Sequence, residues 1–370
     1  MTERGDREAM ERAREAASRA RTRTAPNPWV GAVVVGADGT VLGTGATAPP
    51  GGPHAEVEAL HTAGARARGA TVYVTLEPCA HQGRTPPCTD ALIEAGVARV
   101  VVALEDPDPH VCGDGITRLR AAGVDVEVGV ASDEVARDLA PYLHQRRTGR
   151  AFVVLKTAMS LDGRTAAADG SSRWITGPEA RADAHRLRAA SQAIVVGAGT
   201  ALADRPALTV RDADPMPPAQ PLRVVLDGRG RVDTSGPLFD TALAPTLVVT
   251  TERAPASAVD AWRAAGAKVE LVAPAAEGVD LGATWELLAR SYGVLQALVE
   301  GGARLHGSCI EQQCADQVVA YIAPTLLGTG GLPGIDFAGP AAIDQAPRWR
   351  VLDAARIGQD VRVTLEPGAG

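Results

Sequence analysis

His54 stands two positions before Glu56, and two cysteines follow downstream, Cys79 and Cys88, each directly after a proline. An imidazole and two thiolates are three of the ligands that zinc accepts in a tetrahedral site. With only three protein ligands, the fourth position stays open for water, whose pKa the metal lowers toward ~7. Two thiolates and a neutral imidazole also bring the divalent ion close to zero net charge. Glu56 is the free carboxylate of the set, suited to take a proton from that water and deliver it to a substrate. A purely structural zinc ordinarily takes four protein ligands and would leave Glu56 without a purpose. Taken singly, a histidine at a helix start or two distant cysteines are ordinary structural features; the combination carries the chemistry.

Positioning these residues takes a layered α/β arrangement. A polar N-terminal helix is expected to about residue 20, an apolar strand over 30–36, a tight turn at Asp38-Gly39 and a strand over 40–45. A helix over 54–67 follows, with Val57, Leu60 and Ala63 on one face. Positions i and i+2 do not share a helix face. His54 and Glu56 therefore converge only if both occupy the first turn and meet the metal from the helix end. A strand over 71–76 leads through Glu77-Pro78 to Cys79, at the carboxyl end of a strand, where open α/β sheets bind their ligands. A helix over 89–95 stopped by Gly96, strands over 99–104 and 124–130, and a helix over 132–143 complete this half.

Arg146-Arg147-Thr148-Gly149-Arg150 is polar, basic and glycine-containing, as linkers are, so domains of 1–147 and 150–370 are expected. Beyond it, strands are predicted over 152–156, 193–197, 222–226, 246–250, 268–272, 295–299 and 317–323. Helices are predicted over 178–190, with Pro178 in the first turn, and over 257–265 and 284–292. Glu300-Gly301-Gly302 and Gly197-Ala198-Gly199-Thr200 each follow a strand, as glycines that let a phosphate approach the backbone do. Neither has the third glycine of a Rossmann fingerprint. No internal repeat relates the halves, so two domains with two jobs are expected.

At 370 residues, 45% hydrophobic and 22% charged, the chain has the composition of a globular protein of two or three domains. Aromatics make up 3%, so the cores must be built from Val, Leu, Ala and Ile. A net charge of −7 without a Lys/Arg block argues against a nucleic-acid partner. No run of 18 apolar residues suggests a membrane span, and the charged N-terminus lacks an apolar signal region, so a cytoplasmic protein is expected. Five cysteines are too few and scattered for a disulfide framework; Cys112, Cys309 and Cys314 read as small buried hydrophobes.

The order His-x-Glu and then two cysteines is that of the zinc nucleobase deaminases, but eight residues separate Cys79 from Cys88 where two are usual. Asn27-Pro28-Trp29-Val30-Gly31, His54-Ala55-Glu56-Val57 and the block from Thr75 to Cys88 resemble the deaminase half of the bifunctional riboflavin-biosynthesis deaminase/reductase family, and Asp106-Pro107-Asp108-Pro109 continues the likeness. Lys156–Ala166, Ser171–Thr176, His185–Arg188, Gly197–Asp204, Leu208–Arg211, Glu300-Gly301-Gly302 and Ile322–Gly328 resemble its reductase half, whose fold is like dihydrofolate reductase. The chain departs from the family's usual histidines at Thr47 and Glu58, neither of them a zinc-ligand position.

The resemblance implies a cytidine-deaminase-like α/β/α domain followed by a dihydrofolate-reductase-like α/β domain. It implies Zn²⁺ held by His54, Cys79 and Cys88, and a phosphoribosylaminopyrimidine substrate met by Asn27, His81 and Arg84. It further implies NADPH contacts at Ala158, Trp174, Thr200, Asp204 and the turn Gly302, Ala303, Arg304, Leu305, His306, Gly307 and Ser308. Substrate contacts fall to Ser172, Arg188, Leu208, Arg211 and Glu300, with Lys156 at the strand end near the nicotinamide. Arginine forks at Arg188 and Arg211 suit a ribose 5-phosphate. A homo-oligomer, dimer or tetramer, is also implied. The rivals are a deaminase with a degenerate second domain, a nucleic-acid base editor and a zinc scaffold. Intact Asp162, Arg188, Asp204 and Glu300 oppose the first, acidic charge without stacking aromatics the second, and Glu56 the third.

Overall fold

Short apolar runs broken by glycine and proline set the strands of both halves. The computed structural model describes residues 2–83 and 85–368, in two compact units, Met1–Gly149 and Arg150–Gly370. The first unit runs α1 (Glu3–Ala20), β1 (Gly31–Val35), β2 (Val41–Ala46), α2 (Ala55–Ala63), β3 (Thr71–Val74) and α3 (Cys88–Ala95). It continues through β4 (Arg99–Val102), α4 (Asp114–Ala121), β5 (Asp125–Val128), α5 (Ser132–Asp138) and α6 (Ala140–Thr148). Its sheet has the order β2-β1-β3-β4-β5, with β1 antiparallel to both neighbours and β3, β4 and β5 parallel. Strand β1 and most of β3 and β4 are fully buried, which is why they read as unbroken apolar runs.

Four local readings change, the first in the second half, where the strand expected over 152–156 runs on to Ser160, so Lys156 lies inside the strand and not at its end. The expected helix over 54–67 leaves α geometry at Ala63, where Gly64 takes φ 59 before a short 3-10 turn. The helix expected over 132–143 is two helices broken at Leu139. Pro141 causes the break: it has no N–H to continue a helix, but fits the first turn of a new one. Arg146 and Arg147, expected in a linker, form the last turn of α6, which closes at Gly149 with φ 74.

The second unit contains β6 (Phe152–Ser160), β7 (Arg164–Ala166), α7 (Pro178–Ala189), β8 (Ala193–Gly197), α8 (Ala198–Asp204), β9 (Leu222–Leu226) and β10 (Thr246–Thr250). Then come α9 (Ala256–Ala264), β11 (Lys268–Leu271), the small hairpin β12 (Pro274–Ala275) and β13 (Gly278–Val279), α10 (Leu281–Tyr292) and β14 (Gln296–Val299). Last are α11 (Ala303–Glu311), β15 (Gln317–Ala323), β16 (Leu332–Pro333), β17 (Trp349–Ile357) and β18 (Asp360–Pro367). The nine-stranded sheet has the order β11-β10-β9-β8-β14-β6-β15-β18-β17. It is parallel from β11 to β15 and antiparallel for the last two strands.

Alternate residues of its strands feed two cores. Val153, Leu155, Val195 and Val224 pack with Trp285, Leu288 and Cys309 on one face. Ile194, Val196, Val225 and Val248 pack with Trp262 and Phe239 on the other. Cys309 and Cys314 are core residues as expected, whereas Cys112 is exposed.

Candidate functional site

Helix α2 lies directly on β2 because Gly43 and Gly45 carry no side chains. A Cβ on either would come within 2.2 Å of a backbone oxygen of α2. That contact fixes the start of α2, where His54 is the N-cap residue in extended conformation and Glu56 lies in the first turn. Both approach from the helix end, as their spacing requires. On the far side Cys88 opens α3 after the cap residue Pro87. Its backbone N–H donates to Cys79 Sγ at 3.4 Å.

One ligand atom each from His54, Cys79 and Cys88 lies within 4.8 Å of the others. His54 Nδ1 is 3.6 Å from Cys79 Sγ and 3.2 Å from Cys88 Sγ. A tetrahedral zinc with Zn–S and Zn–N bonds of ordinary length would separate such atoms by about 3.5 Å, so the triangle fits the ion. Hydrogen bonds from Cys88 and then from His54 hold the Cys79 thiol well below its usual range, making it the thiolate of the pair. Glu56 is 3% exposed, and burial pushes its carboxyl up to about 7 while His54 pulls it down. A carboxyl poised near neutrality can both accept and donate a proton.

Glu77, which the sequence reading passed over, proves to anchor this centre from behind. Its carboxylate accepts backbone N–H groups from Asp106, Gly113, Gly115 and Ile116 at 2.9–3.2 Å. The bonds hold the start of α4 against Pro78, so closely that a Cβ at Gly115 would lie 1.9 Å from the Pro78 carbonyl oxygen. A carboxylate directly before Pro-Cys was the available signal. Of the substrate residues expected here, Asn27 is half-buried and His81 exposed; Arg84 lies outside the described residues.

In the second unit a charged cluster gathers beside the end of β14. Arg188 and Glu300 form a two-pronged ion pair, Nε to Oε1 at 2.6 Å and Nη2 to Oε2 at 2.8 Å. Arg188 Nη1 also donates to the Thr209 carbonyl at 2.9 Å, so three of its donors are engaged inside the protein. Burial would raise the Glu300 carboxyl, but Arg188 holds it down to about 2. Desolvation lowers the Lys156 ammonium, and Arg188 pushes the same way against Glu300. His185 Nδ1 accepts the backbone N–H of Arg211 at 3.2 Å, which adds a histidine with no contact assigned from sequence. Leu208 is buried with φ 49, a left-handed conformation unusual for leucine.

A cleft of about 630 Å³ is lined by Thr200, Asp204, Gly302, Ala303, Arg304, Leu305 and Ser308, seven of the expected cofactor residues. Two others of that run do not face it. His306 is 3% exposed with its ring nitrogens against the carbonyls of Val299 and Gly334, and a Cβ at Gly307 would strike Asp336 O at 1.8 Å. The helical period turns both inward from α11. Ala158 and Trp174 are also outside the cleft lining. Trp174 is 70% exposed, with the Arg181 guanidinium 4.5 Å from its ring. Ser172 is exposed.

Known proteins match both halves. The RibD C-terminal domain matches residues 151–363, and the cytidine and deoxycytidylate deaminase zinc-binding region matches residues 3–104. The riboflavin biosynthesis protein RibD of Chlamydia pneumoniae is 43% identical over 96% of this chain and 94% of its own length. That of Escherichia coli is 41% identical over 96% of this chain and 98% of its own. Among solved structures, Acinetobacter baumannii RibD superposes with a TM-score of 0.89 at 39% identity, covering 100% of both chains. A diaminohydroxyphosphoribosylaminopyrimidine deaminase/5-amino-6-(5-phosphoribosylamino)uracil reductase from Thermotoga maritima gives a TM-score of 0.85 at 33% identity over 99% of both. Matched along nearly its whole length by these relatives, the chain belongs to the RibD family of riboflavin biosynthesis, bifunctional enzymes that join a zinc-dependent deaminase to an NADPH-dependent reductase.

Proposed function

We propose that His54, Cys79 and Cys88 hold the zinc, and that Glu56 carries protons in the deamination of 2,5-diamino-6-(5-phosphoribosylamino)pyrimidin-4-one. The observation that carries this reading is a ligand triangle within 4.8 Å with a buried carboxylate two residues from its imidazole. The substrate follows the name of the Thermotoga maritima relative. Zinc, when bound, supplies the Lewis acidity that makes water acidic near neutral pH. Glu56 accepts a proton from the water that adds at the 2-amino carbon and delivers it to the ring nitrogen. It then passes the second proton to the amino group, which leaves as ammonia. Asn27, His81 and Arg84 are assigned to the pyrimidine and its ribose phosphate.

NADPH supplies the hydride for the second step. Lys156 protonates the imine nitrogen of the ring-opened ribosyl group as the hydride reaches its carbon, which yields the ribityl chain. Glu300, steadied by Arg188, orients the sugar, and Arg211 takes the 5-phosphate. Ser172 and Leu208 complete the substrate contacts, and Ala158 and Trp174 join the cleft residues at the cofactor. The reading includes a homo-oligomer in the cytoplasm with no nucleic-acid or membrane partner. The open sheet edge at β17, with Val351 59% exposed, supports self-association. No helix among the described residues is long and apolar enough to cross a membrane.

The test supplies the aminopyrimidine substrate with and without NADPH and follows ammonia and NADPH. Ammonia is expected without NADPH. Glu56→Ala should keep its zinc, lose deamination by about 10³- to 10⁴-fold and still reduce pre-deaminated substrate. Loss of the metal in that variant would overturn the proton-carrier assignment.

A further inference from the structure

Among the described residues no hydrogen bond or ion pair holds the half-buried Lys156 ammonium. It meets an aromatic face instead, with Nζ 5.8 Å from the centroid of the Tyr321 ring. Strand register explains the contact. Strands β6 and β15 are parallel neighbours, with Lys156 opposite Val319 and Ala158 opposite Tyr321. Residues two apart on a strand point to the same side, so Lys156 and Tyr321 are diagonal neighbours on one face of the sheet. Ala158, directly opposite the tyrosine, has only a methyl group and leaves the ring free to lie beside the lysine.

The ring is held at its far end. Tyr321 is 1% exposed, and its hydroxyl donates to Asp183 Oδ2 at 2.6 Å. The same oxygen accepts Arg362 Nη1 from β18 at 3.0 Å, while Asp183 Oδ1 accepts Arg186 Nη2 at 2.8 Å and Nε at 3.2 Å. Burial, and then the bond to Asp183, push the Tyr321 phenol up, so the ring stays neutral. Asp183 lies on α7, and five residues further along the same helix Arg188 pairs with Glu300. One helix therefore sets both neighbours of Lys156, the ring through Asp183 and the carboxylate through Arg188.

We infer that Tyr321 is a positioning residue for reduction, its ring face holding Lys156 in place as the ammonium, a reading that rests on Lys156 being the proton donor. The negative face of an aromatic ring attracts a cation, most strongly where water is excluded. Three ionisable groups bear on this ammonium from the elements around it. Glu300 at the end of β14 favours its charge, against desolvation and against Arg188 on α7. His306 on α11 is pushed toward its neutral form by burial and adds no charge. Glu300 and the Tyr321 face are then the two attractions that keep the proton on Lys156 until the imine nitrogen takes it. The resulting neutral amine has lost its attraction to the ring and recovers a proton from water.

Single-turnover NADPH oxidation by the full-length protein with pre-deaminated substrate, followed across pH, tests this. Tyr321→Leu should lower the maximal rate about 10-fold and change the half-saturating substrate concentration less than about threefold. Its basic limb, where Lys156 loses its proton, should move to lower pH by about half a unit to one unit. Tyr321→Phe keeps the ring face and should return the limb to its wild-type position. Pentafluorophenylalanine at the same position has nearly the shape of phenylalanine with the ring's charge distribution reversed. It should shift the limb as leucine does, which separates the effect from damage to packing. A limb that stays put in both the leucine and the fluorinated variants, even if they melt earlier, makes Tyr321 a core brace and overturns the inference. So does a limb that phenylalanine moves as far as leucine. Lys156→Met that still reduces at the wild-type rate overturns the proton-donor reading and the inference together.

Discussion

The two centres of this molecule both sit at carboxyl ends of parallel strands, yet they are assembled on different length scales. The zinc triangle draws its ligands from one stretch, His54 to Cys88, and brings their donor atoms within 4.8 Å. The charged cluster of the second unit, which we assign to reduction, draws Lys156 from β6, Arg188 from α7 and Glu300 from the end of β14, and its central ion pair joins residues 112 positions apart. The first centre is soft-ligand chemistry held by glycine-close packing of α2 on β2. The second is half-buried charge balanced by opposite charge. A centre of the first kind fails when an atom is removed from it; one of the second kind fails when its balance is upset.

Metal removal should separate the two most sharply. Dialysis against a strong chelator is expected to abolish ammonia release and leave NADPH oxidation with pre-deaminated substrate within about twofold of its starting rate. The described residues hold one cluster of metal-ligating type, and it lies in the first unit. Added zinc should restore deamination. A reductase rate that fell in parallel would mean that the two centres are not independent.

Glu300→Gln attacks the other side of the comparison. The substitution keeps shape but leaves Arg188 and Lys156 as half-buried cations without their counter-charge, and breaking such a pair costs up to about 3 kcal/mol, the lower end of the range for buried pairs. Reduction should fall by about 100-fold or more, with deamination unaffected, and the second unit should melt several degrees lower. The pH dependence has a definite sign. Glu300 is lowered from 4.5 to about 2 in the folded chain. Its contribution is therefore complete above about pH 4.5 and disappears as pH falls toward 2. The gap in melting temperature between wild type and Glu300→Gln should narrow across that window; a constant gap would show that ionisation of Glu300 is not what stabilises the unit.

The same difference in length scale governs what the sequence could reveal. The gathering of His54, Cys79 and Cys88 and the strands around them were legible because order and spacing are local properties, as with the run over 193–197, which is β8 as predicted. Arg188 and Glu300 could each be named only through resemblance, and their pairing through the arginine fork was invisible. Read as a free phosphate clamp, Arg188 turns out to have three donors already engaged. A contiguous run is also not one surface: Gly302 lines the cleft, but helical rotation carries His306 and Gly307, four and five residues on, toward the core. Strands β17 and β18 escaped notice because charges such as Arg350, Asp353, Arg356 and Arg362 interrupt the apolar residues that would mark a buried strand. Helix α4 escaped for a related reason, since only Gly115, Ile116 and Leu119 of its eight residues are buried.

The gentlest way to probe the local centre is from behind, at Glu77. Its two oxygens accept four backbone N–H groups, and none of those bonds touches the metal or a ligand atom. Glu77→Gln keeps one acceptor oxygen and turns an NH₂ group toward donors that it cannot satisfy. At least two buried N–H groups then lose their partner, and the loop bearing Pro78 and Cys79 should relax away from α4. Outer supports of this kind are typically worth 10- to 100-fold in metal affinity. Zinc competition with a chromophoric chelator should therefore report that loss, and the absorption of the cobalt-substituted protein should broaden as its geometry loosens. If the variant only melts earlier, with zinc affinity and cobalt spectrum unchanged, then Glu77 braces the fold and the zinc triangle keeps its shape through α2, β2 and α3 alone.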